Sequence, residues 1–437
     1  MKNFSPGWIA MAAVLCFSAT LPAQMDNLTN LSVEWMRMPA RNAASDSADI
    51  VVYNPAALVR LDEGFHLNLG NQSLMRKPSH TYDLGFGAGE RSFSQDGMDA
   101  FLPNLYAAYT KDKWAVYGGV YISGGGAVAN YPQGSLFTDL LSTWMISGYH
   151  YDYFYTQVED QFIKASSYYL TGIIGGAFAF SEAFSASLGL RYVNAVNTMK
   201  TGFTLTDPLL ILPDRPLALD GKDKASGLGW ILGVHVAASP RLDLSAHYES
   251  KVKLDFETTV NQDDFGLGFA TPGAKSRRDL PAALYLGAGY RWTPRLQMLV
   301  DFNYWFQTAA NWDTTTVDEI ETNRAALAGN CYAAGIGFAY ELNDRLKLSA
   351  GTVFTNFLFK DRDEYFSRVG EVEAPKGDNW NCGVGLACKA LDKLTLNLAL
   401  GGTFWKKQTI AKQFSLPYTV EVKARAYSVS IGVNIDL

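Results

Sequence analysis

The amino-acid sequence predicts an all-β fold, a fourteen-stranded antiparallel transmembrane β-barrel. From Gly64 onward, segments in which apolar and polar residues alternate follow one another to the end of the chain. Short polar turns alternate strictly with long connections between these segments. The chain has 39 Gly, 23 Tyr, 25 Phe and 10 Trp and is only 18% charged, and its mean hydropathy is -0.04. Such an average is typical of a barrel whose apolar lipid face and polar lumen face cancel.

Composition alone leaves other β architectures open, because a large secreted sandwich or solenoid has similar residue usage. After the N-terminal region no run of about 18 apolar residues occurs, which excludes membrane-spanning helices. No linker, charge block or low-complexity segment divides the chain, so we expect one large unit. The net charge of -6 argues against nucleic acid as a partner, because nucleic-acid binding needs a basic surface.

Residues 1–23 are predicted to be a secretory signal peptide. Lys2 stands near the start, an apolar run follows at residues 8–17, and small residues lead to a cleavage site after Ala23. A secreted chain of this composition fits an outer-membrane protein.

Residues 24–63 precede the first predicted strand. Within them, the run at residues 45–58 changes from small polar to apolar residues and is interrupted at Asn54-Pro55, which fits neither a strand nor a helix. Both chain ends are predicted on the short-turn side of the barrel, and the fourteen strands are complete without this segment. It must therefore lie below the barrel or inside it, and its apolar residues 49–53 favour the inside.

The turns place the fourteen strands. Six tight polar turns, such as Thr110-Lys111-Asp112-Lys113 and Thr293-Pro294-Arg295, each separate two strand-like runs, and seven long connections lie between these hairpins. An even number of strands with one short-looped end and one long-looped end is the pattern of bacterial outer-membrane barrels. The predicted strands span residues 64–75, 100–110, 113–123, 166–180, 183–204, 223–238, 241–260, 279–292, 295–309, 326–341, 345–359, 377–390, 393–409 and 421–437.

Alternation within the strands assigns a lipid face and a lumen face. In the last strand Val429, Ile431 and Val433 share one face, which we assign to lipid, and Ser428 and Ser430 share the other. Another strand carries a row of polar residues that we assign to the lumen: Asp243, Ser245, His247, Glu249 and Lys251. A hydrogen-bonded lumen wall is the common reason for such a row. The alternatives are a catalytic pair formed by Ser245 and His247 and, for the fold, a soluble sheet with one buried face.

Four motifs carry a resemblance to a known family. Residues 37–45 together with Tyr53-Asn54-Pro55-Ala56-Ala57-Leu58 resemble the N-terminal hatch of the outer-membrane transporters for long-chain fatty acids and aromatic hydrocarbons (FadL/TodX type). Further matches are FLPNLY at residues 101–106, YESKVKLDF at 248–256 and LPA at 280–282, in the family's order. The resemblance implies that residues 24–63 form a plug, or hatch, inside a barrel of residues 64–437.

The resemblance also implies a mechanism. In the family, extracellular loops catch the ligand, which passes to a pocket bounded by the hatch and leaves sideways through a gap at a kinked third strand. Asn54, Pro55 and Ala56 are then the candidate gate of the hatch, and Gly118 and Gly119 in the third predicted strand are the candidate wall kink. Simple barrel curvature accounts for a glycine pair equally well.

Two groups of apolar residues are candidates for ligand contact. Trp35, Met36 and Met38 would face the barrel interior, where they would line an adaptable pocket or pack the plug against the wall. The second group has the spacing of an amphipathic helix whose apolar face has no obvious core, and it would catch a ligand, pack against residues 209–212, or both. Its members are Leu136, Phe137, Leu140, Leu141, Trp144 and Met145.

The predicted function is passive outer-membrane transport of hydrophobic small molecules, either long-chain fatty acids or aromatic hydrocarbons, through a plugged barrel with a lateral exit. The expected partners are this ligand and outer-membrane lipid, without nucleic acid, and the chain is expected to be a monomer. We expect no enzymatic activity and no cofactor, and the five histidines show no metal-binding spacing. The alternatives are a general aqueous porin and a barrel-embedded hydrolase.

Overall fold

The computed structural model of the chain describes residues 29–83, 89–95, 97–146, 155–268, 270–317, 320–368, 373, 376–411 and 419–437. Within these ranges, no helix is both long and apolar enough to cross a membrane. The predicted signal peptide at residues 1–23 lies outside the described residues.

Fourteen antiparallel strands close into one barrel, as predicted. Each strand pairs with the next along the chain, and the last pairs with the first, which closes the ring. The strands are β1 (Gly64–Arg76), β2 (Met98–Lys111), β3 (Trp114–Tyr131), β4 (Gln157–Ala179), β5 (Phe184–Thr206), β6 (Arg215–Ser239), β7 (Leu242–Glu249), β8 (Ala283–Thr293), β9 (Leu296–Trp305), β10 (Asn330–Asn343), β11 (Leu346–Leu358), β12 (Asn379–Leu391), β13 (Leu394–Trp405) and β14 (Arg425–Asp436).

The predicted alternation of lipid and lumen faces is observed along the strands. In β14, Ile431 is 59% exposed whereas Ser430 is fully buried, because odd-numbered side chains point out and even-numbered ones point in. The strands β4, β5 and β6 have 23, 23 and 25 residues. At about 3.3 Å per residue they are far longer than an apolar band of about 25 Å requires. Their upper parts therefore extend beyond the barrel's membrane-embedded section, toward the long connections.

One predicted strand is interrupted. The run predicted at residues 241–260 ends as β7 at Glu249 and resumes at Asp255–Asp263, which pairs with the upper part of β6. Between the two parts, Val252 pairs with Leu280 and lies against Gly227 and Gly229, whose missing side chains leave room for the chain to enter the lumen. The alternation of faces shifts at this point.

The shift overturns one assignment. Lys251 was predicted to face the lumen, but its side chain is 42% exposed. Ser250 and Val252 are buried instead. The prediction was wrong because it assumed an unbroken period of two residues across the interruption.

The N-terminal segment lies inside the barrel. Its elements are helix α1 (Val33–Arg37) and two 3₁₀ helices, Ala48–Val52 and Pro55–Arg60. We call residues 29–63 the hatch. The hatch contacts strands on several sides of the barrel, including β1, β2, β4, β5, β6, β12, β13 and β14.

The long connections build a cap over one end of the barrel, with its own secondary structure. A four-stranded sheet joins Ser79–Asp83, Glu90–Ser94, Gln408–Ala411 and Thr419–Lys423, and Thr314–Val317 pairs with Ile320–Asn323. The cap helices are α2 (Leu136–Trp144), α3 (Arg324–Ala328), α4 (Arg362–Arg368) and a 3₁₀ turn, Gln307–Ala309. Helix α2 confirms the helix predicted from the spacing of apolar residues in this loop.

Candidate functional site

The hatch is buried in the lumen and packs against the barrel wall. Trp35 is 3% exposed, Met36 1% and Met38 2%, and they belong to one apolar cluster with residues of the barrel wall such as Tyr106 and Trp305. Helix α1 begins at Ser32, whose hydroxyl accepts the N–H of Trp35 over 2.9 Å and donates to the carboxylate of Asp49 over 2.9 Å. One side chain therefore caps the helix and ties it to the next element of the hatch.

Glycines of the lumen wall form a groove for the hatch. A Cβ atom at Gly383 would meet the carbonyl oxygen of Met36, and one at Gly337 would meet the side chain of Met38. The same is true of Gly401 against Met36. At Gly383 the hatch backbone approaches the wall more closely than any side chain allows, whereas at Gly337 and Gly401 the missing side chains leave room for the methionine side chains of the hatch.

A buried ion pair organises the hatch. The guanidinium of Arg41 donates to both carboxylate oxygens of Asp49, over 2.6 and 3.1 Å, and both side chains are fully buried. The backbone N–H groups of Arg41 and Asn42 donate to the Asp301 carboxylate on β9, over 2.6 and 3.1 Å. The buried charges are thus paired within the hatch, and two of its backbone donors are bonded across the boundary to the wall, as buried polar groups require.

Glu34 fixes the start of the hatch to the seam where the barrel closes. Its Oε1 atom accepts hydrogen bonds from the side-chain amides of Asn68 on β1, Asn397 on β13 and Asn434 on β14, over 2.8, 2.9 and 3.0 Å. The three donors that converge on this carboxylate oxygen are neutral amides, and none of them is a cation. Helix α1 is therefore bonded to three strands at once.

The Asn54-Pro55-Ala56 motif is the other attachment of the hatch. Pro55 is the first residue of the second 3₁₀ helix. An N–H at this position would have no partner within the helix, so proline loses no hydrogen bond there. The Asn54 amide donates to the carbonyl of Ala44 and to Nδ1 of His235 on β6, over 3.0 Å each. The carbonyl of Ala56 accepts the hydroxyl of Ser185 over 2.6 Å. The motif thus joins the hatch to strands β5 and β6.

Two small cavities lie between the hatch and the wall. One offers about 30 Å³ to a water-sized molecule and the other about 40 Å³. The first is lined by Tyr53 of the hatch and by Tyr121, Ser123 and Trp305 of the wall. Such volumes hold about one water molecule each. A larger ligand enters only if side chains or the hatch move.

The first cavity reaches the wall where two strands part. β2 and β3 are paired from Lys111 and Trp114 up to Asn104 and Tyr121, and no ladder pair joins them above Tyr121 within the described residues. Above this point β3 has bulges between Ile122 and Gly124 and between Gly125 and Ala127 in its pairing with β4. Ser123 lies in this irregular stretch.

Side chains bridge the parted strands higher up. The Asp99 carboxylate of β2 accepts the N–H of Val128 on β3 over 3.2 Å, and Tyr168 of β4 donates its hydroxyl to the carbonyl of Phe101 over 2.7 Å. The wall is therefore held by polar contacts here instead of a continuous ladder.

Gly118 and Gly119 lie below this stretch and are paired on both sides. Gly118 stands opposite Ala107 and Ile174, and Gly119 opposite Tyr106 and Ile173. Gly118 lines a groove of about 710 Å³ on the outer wall. The groove's other walls are apolar side chains, among them Phe65, Tyr109, Val116, Ile174, Leu188 and Leu190.

Helix α2 has an apolar core of its own. Leu136, Leu141 and Met145 are at most 1% exposed, and Phe137 and Leu140 are 9% exposed. They pack in one cluster with cap residues from distant loops, including Tyr82, Phe93, Trp312, Tyr365, Ile410 and Val422. The expectation that this face lacks a core was wrong, because the loops after β1, β9, β11 and β13 supply one. The side chain of Trp144 lies outside the described residues.

The predicted packing partner of α2 is placed differently. Leu209, Leu210 and Ile211 are 73%, 86% and 59% exposed. Leu212 is the residue of that loop that packs against the cap cluster. The carboxylate of Asp207 accepts the N–H groups of Leu209, Ile211 and Leu212, over 2.9, 2.8 and 3.1 Å, and so shapes this turn.

Titratable groups connect α2 to the cap sheet. His80 is fully buried, and its Nε2 atom accepts the N–H of Leu136 at the start of α2 over 3.0 Å. Burial lowers the pKa of His80, against the opposing charge of Glu373. Asp139 accepts the hydroxyl of Tyr82 and pairs with Arg91 over 2.6 Å, and burial raises the pKa of Asp139.

A family model of outer membrane transport proteins (OMPP1/FadL/TodX) matches residues 170–437, more than half of the chain. The chain belongs to this FadL/TodX family. The matched region runs from within β4 to the C-terminus and covers most of the barrel wall. A comparison with curated protein sequences finds no match.

Solved structures of the FadL/TodX type share the fold. A Pseudomonas aeruginosa FadL homologue is 14% identical with a TM-score of 0.65, covering 96% of this chain and 99% of its own. The P. putida toluene transporter TodX is 14% identical with a TM-score of 0.62, covering 91% and 97%. The Ralstonia pickettii toluene transporter TbuX is 14% identical with a TM-score of 0.58, covering 93% and 98%.

The FadL/TodX fold brings some predicted residues together and separates others. Trp35, Met36 and Met38 share the lumen with the Asn54-Pro55-Ala56 motif, whereas the α2 residues lie in the separate cap cluster. No sequence pattern indicates Glu34, whose three amide partners come from strands far apart in the chain. In β9 the alternation of apolar and polar residues puts Asp301 on the lumen face, and this alternation was the available signal for the bond to the hatch.

Proposed function

We propose that the chain carries hydrophobic small molecules, long-chain fatty acids or aromatic hydrocarbons, passively through the outer membrane. The ligand would leave sideways through the wall at β3 instead of passing straight through the barrel. The observation that carries this proposal is the cavity beside Tyr53, which reaches Ser123 where β2 and β3 part. Transfer of an apolar molecule from water into lipid is favourable, so a ligand that reached this opening would have a favourable destination beside it.

The closed hatch supports this function over that of a general aqueous porin. The two cavities between the hatch and the wall offer only about 30 and 40 Å³ to a water-sized molecule, which supports a plugged lumen. A porin of this size would need an unobstructed lumen for hydrated solutes. The residues of the Asn54-Pro55-Ala56 motif are proposed as the part of the hatch that moves.

A barrel-embedded hydrolase has less support. The Ser245 hydroxyl donates to the carbonyl of Asn42, so it serves to hold the hatch. His247 belongs to the same lumen row, but no hydrogen bond joins it to Ser245 among the described residues. We propose that the chain is not an enzyme, acts as a monomer without a cofactor, and binds neither metal nor nucleic acid.

Binding to the purified full-length protein tests the proposal. Trp305 lines the cavity, so its fluorescence should change saturably when oleic acid or toluene is added. The Trp305→Phe variant should lose that change, whereas replacing the outward-facing Trp292, which is 53% exposed, should leave it intact. A signal that never saturates, or that is equal in both variants, would contradict binding at this cavity.

A further inference from the structure

The outer wall of β4, β5 and β6 changes from apolar to basic along the strands. Its apolar belt includes the row of Ile174, Leu190 and Trp230, which are 67%, 56% and 43% exposed, and Leu228 one step above, 69% exposed. The next row upward contains Asn194 and Ser226. Lysines follow directly above. In an outer-membrane barrel this height corresponds to the headgroups of the outer leaflet.

The lysines form a continuous strip across neighbouring strands. Lys224 on β6 is followed two residues higher by Lys222, both on the outward face. Lys164 on β4 stands directly opposite Lys200 on β5. Lys275 lies two strands from β6 and is paired in register with Glu257. We call these five residues, Lys164, Lys200, Lys222, Lys224 and Lys275, the lysine strip.

The strip lacks enough carboxylates of its own. Lys200 forms an ion pair with Asp220 over 2.7 Å. The other four lysines form no ion pair with any described residue, and Glu257 is the further acid in register with the strip. Five lysines and two carboxylates leave a net charge of +3.

Direct opposition of Lys164 and Lys200 is unfavourable without a counter-charge. Like charges that face each other across two strands repel and destabilise the pair. Asp220 already supplies a counter-charge to Lys200, whereas Lys164 forms no ion pair with a described residue, so a ligand that brings negative charge to this face would offset the remaining repulsion. Anions with several oxygens suit the purpose, because lysine ammonium groups bind phosphate as point charges.

We propose that the lysine strip binds the phosphate groups of a phosphorylated glycolipid, the lipopolysaccharide of the outer leaflet. Its acyl chains would lie along the belt around Ile174 and Leu228, and its phosphates would then stand at the height of Lys222 and Lys224. Anchoring in the belt raises the effective concentration of phosphate at the strip, which an open surface needs. A free phosphate would have no such anchor. The proposal rests on the outer-membrane location of the family and is independent of the transported substrate.

The alternative explanation is that these lysines only keep the exposed upper strands soluble and bind no particular ligand. That explanation predicts no preference for a lipid and no particular height along the barrel. The two explanations differ in whether charge at Lys222 and Lys224 determines lipid binding.

The test compares charge reversals at the two ends of the barrel. The full-length protein in detergent is titrated with lipopolysaccharide, with vesicles of phosphatidylglycerol, and with inorganic phosphate. The variant is Lys222→Glu/Lys224→Glu, and the matched control is Lys111→Glu/Lys113→Glu, two exposed lysines at a short turn on the opposite side of the membrane. Lys222→Gln/Lys224→Gln provides a milder variant with no reversed charge, should the first fail to fold.

We expect the wild type and the control to bind lipopolysaccharide equally and the Lys222/Lys224 reversal to bind it at least tenfold more weakly. The neutral variant should be intermediate, and raising the salt from 50 to 200 mM should weaken wild-type binding. Unchanged affinity in both Lys222/Lys224 variants would overturn the proposal. So would equal loss for phosphatidylglycerol vesicles and inorganic phosphate, because the strip would then attract any anion.

Discussion

The carbonyl oxygen of Met36 occupies the space that a Cβ atom on residue 383 would fill. Helix α1 of the hatch therefore lies against the bare backbone of β12. This contact explains one part of the chain's high glycine content, since the lumen wall needs glycine where the hatch backbone lies directly against the strand backbone, as at Gly383. It also identifies positions at which one methyl group should disturb the plug and little else.

Gly383→Ala should loosen the hatch without unfolding the barrel. The added methyl group overpacks the contact with Met36, which costs about 1–3 kcal/mol. We expect larger ionic leakage in planar-bilayer recordings than for the wild type. Gly172→Ala is the matched control, because a Cβ at Gly172 on β4 meets nothing within 4 Å. Equal conductance of the two variants would show that the groove does not hold the hatch.

Asp49→Ala should detach the hatch more strongly than removal of the whole ion pair. It removes two charge-assisted hydrogen bonds from the buried guanidinium of Arg41 and leaves the partly exposed Asp46, at 2.8 Å, as the remaining carboxylate partner. The loss is therefore at most that of a fully broken buried pair, about 3–5 kcal/mol. The double variant Arg41→Leu/Asp49→Leu removes both charges and should recover much of the lost protection. Amide hydrogen exchange of residues 33–60 measures the effect. Equal exchange in the single and double variants would refute the role of the pair.

Ser123→Trp should reduce transport by filling the end of the cavity at β3. The Ser123 hydroxyl bonds Thr171 over 2.6 Å, and the residue lines the cavity beside Tyr53. Val120→Trp is the control on the same strand, because Val120 points to lipid and is 44% exposed. Uptake of labelled oleic acid should fall several-fold in the first variant and stay near wild type in the second. If both variants transport normally, the path does not pass Ser123.

Acid should loosen the cap. The pKa of buried His80 lies below its ordinary value of 6.5, so the undocked state takes up a proton before the folded cap does. The stability that depends on neutral His80 is present above pH 6.5 and is lost as the pH falls through that value. Proteolysis of the cap measured from pH 7.5 to 5.5 should therefore accelerate.

The variant His80→Gln separates this effect from other titrations. Its amide oxygen can accept the N–H of Leu136 but cannot be protonated in this range. Asp139 has a raised pKa and acts in the opposite direction, since its neutral form is favoured by burial. Cleavage that accelerates equally in His80→Gln and the wild type would assign the pH dependence to another group.

The barrel could be predicted because its determinants are local. Alternation of residues such as Ser430 and Ile431 sets the faces, and tight turns such as Thr110-Lys111-Asp112-Lys113 set the number of strands. The interruption after Glu249 could not be found in this way, because it depends on Gly227 and Gly229 of the neighbouring strand. Period-two patterning contains no information about such close approach.

The candidate site was predictable only in part for the same reason. The apolar run before Asn54 indicated a segment inside the barrel, but Glu34 binds amides on three strands, two of which are hundreds of residues away in sequence. Helix α2 was visible from its spacing, whereas its core comes from four loops whose meeting no local pattern reveals. The polar side chain of Asp301 on the lumen face indicates a contact inside the barrel, but the sequence does not show that the contact is with the backbone of Arg41 and Asn42.

Uptake by whole cells tests the central claim most directly. A bacterial strain without its own transporter for hydrophobic compounds is given this chain, and entry of labelled oleic acid, toluene and a hydrophilic sugar is measured against the empty vector. The account predicts several-fold faster entry of oleic acid or toluene and unchanged entry of the sugar. Faster entry of the sugar, or no gain for either hydrophobic compound, would contradict it.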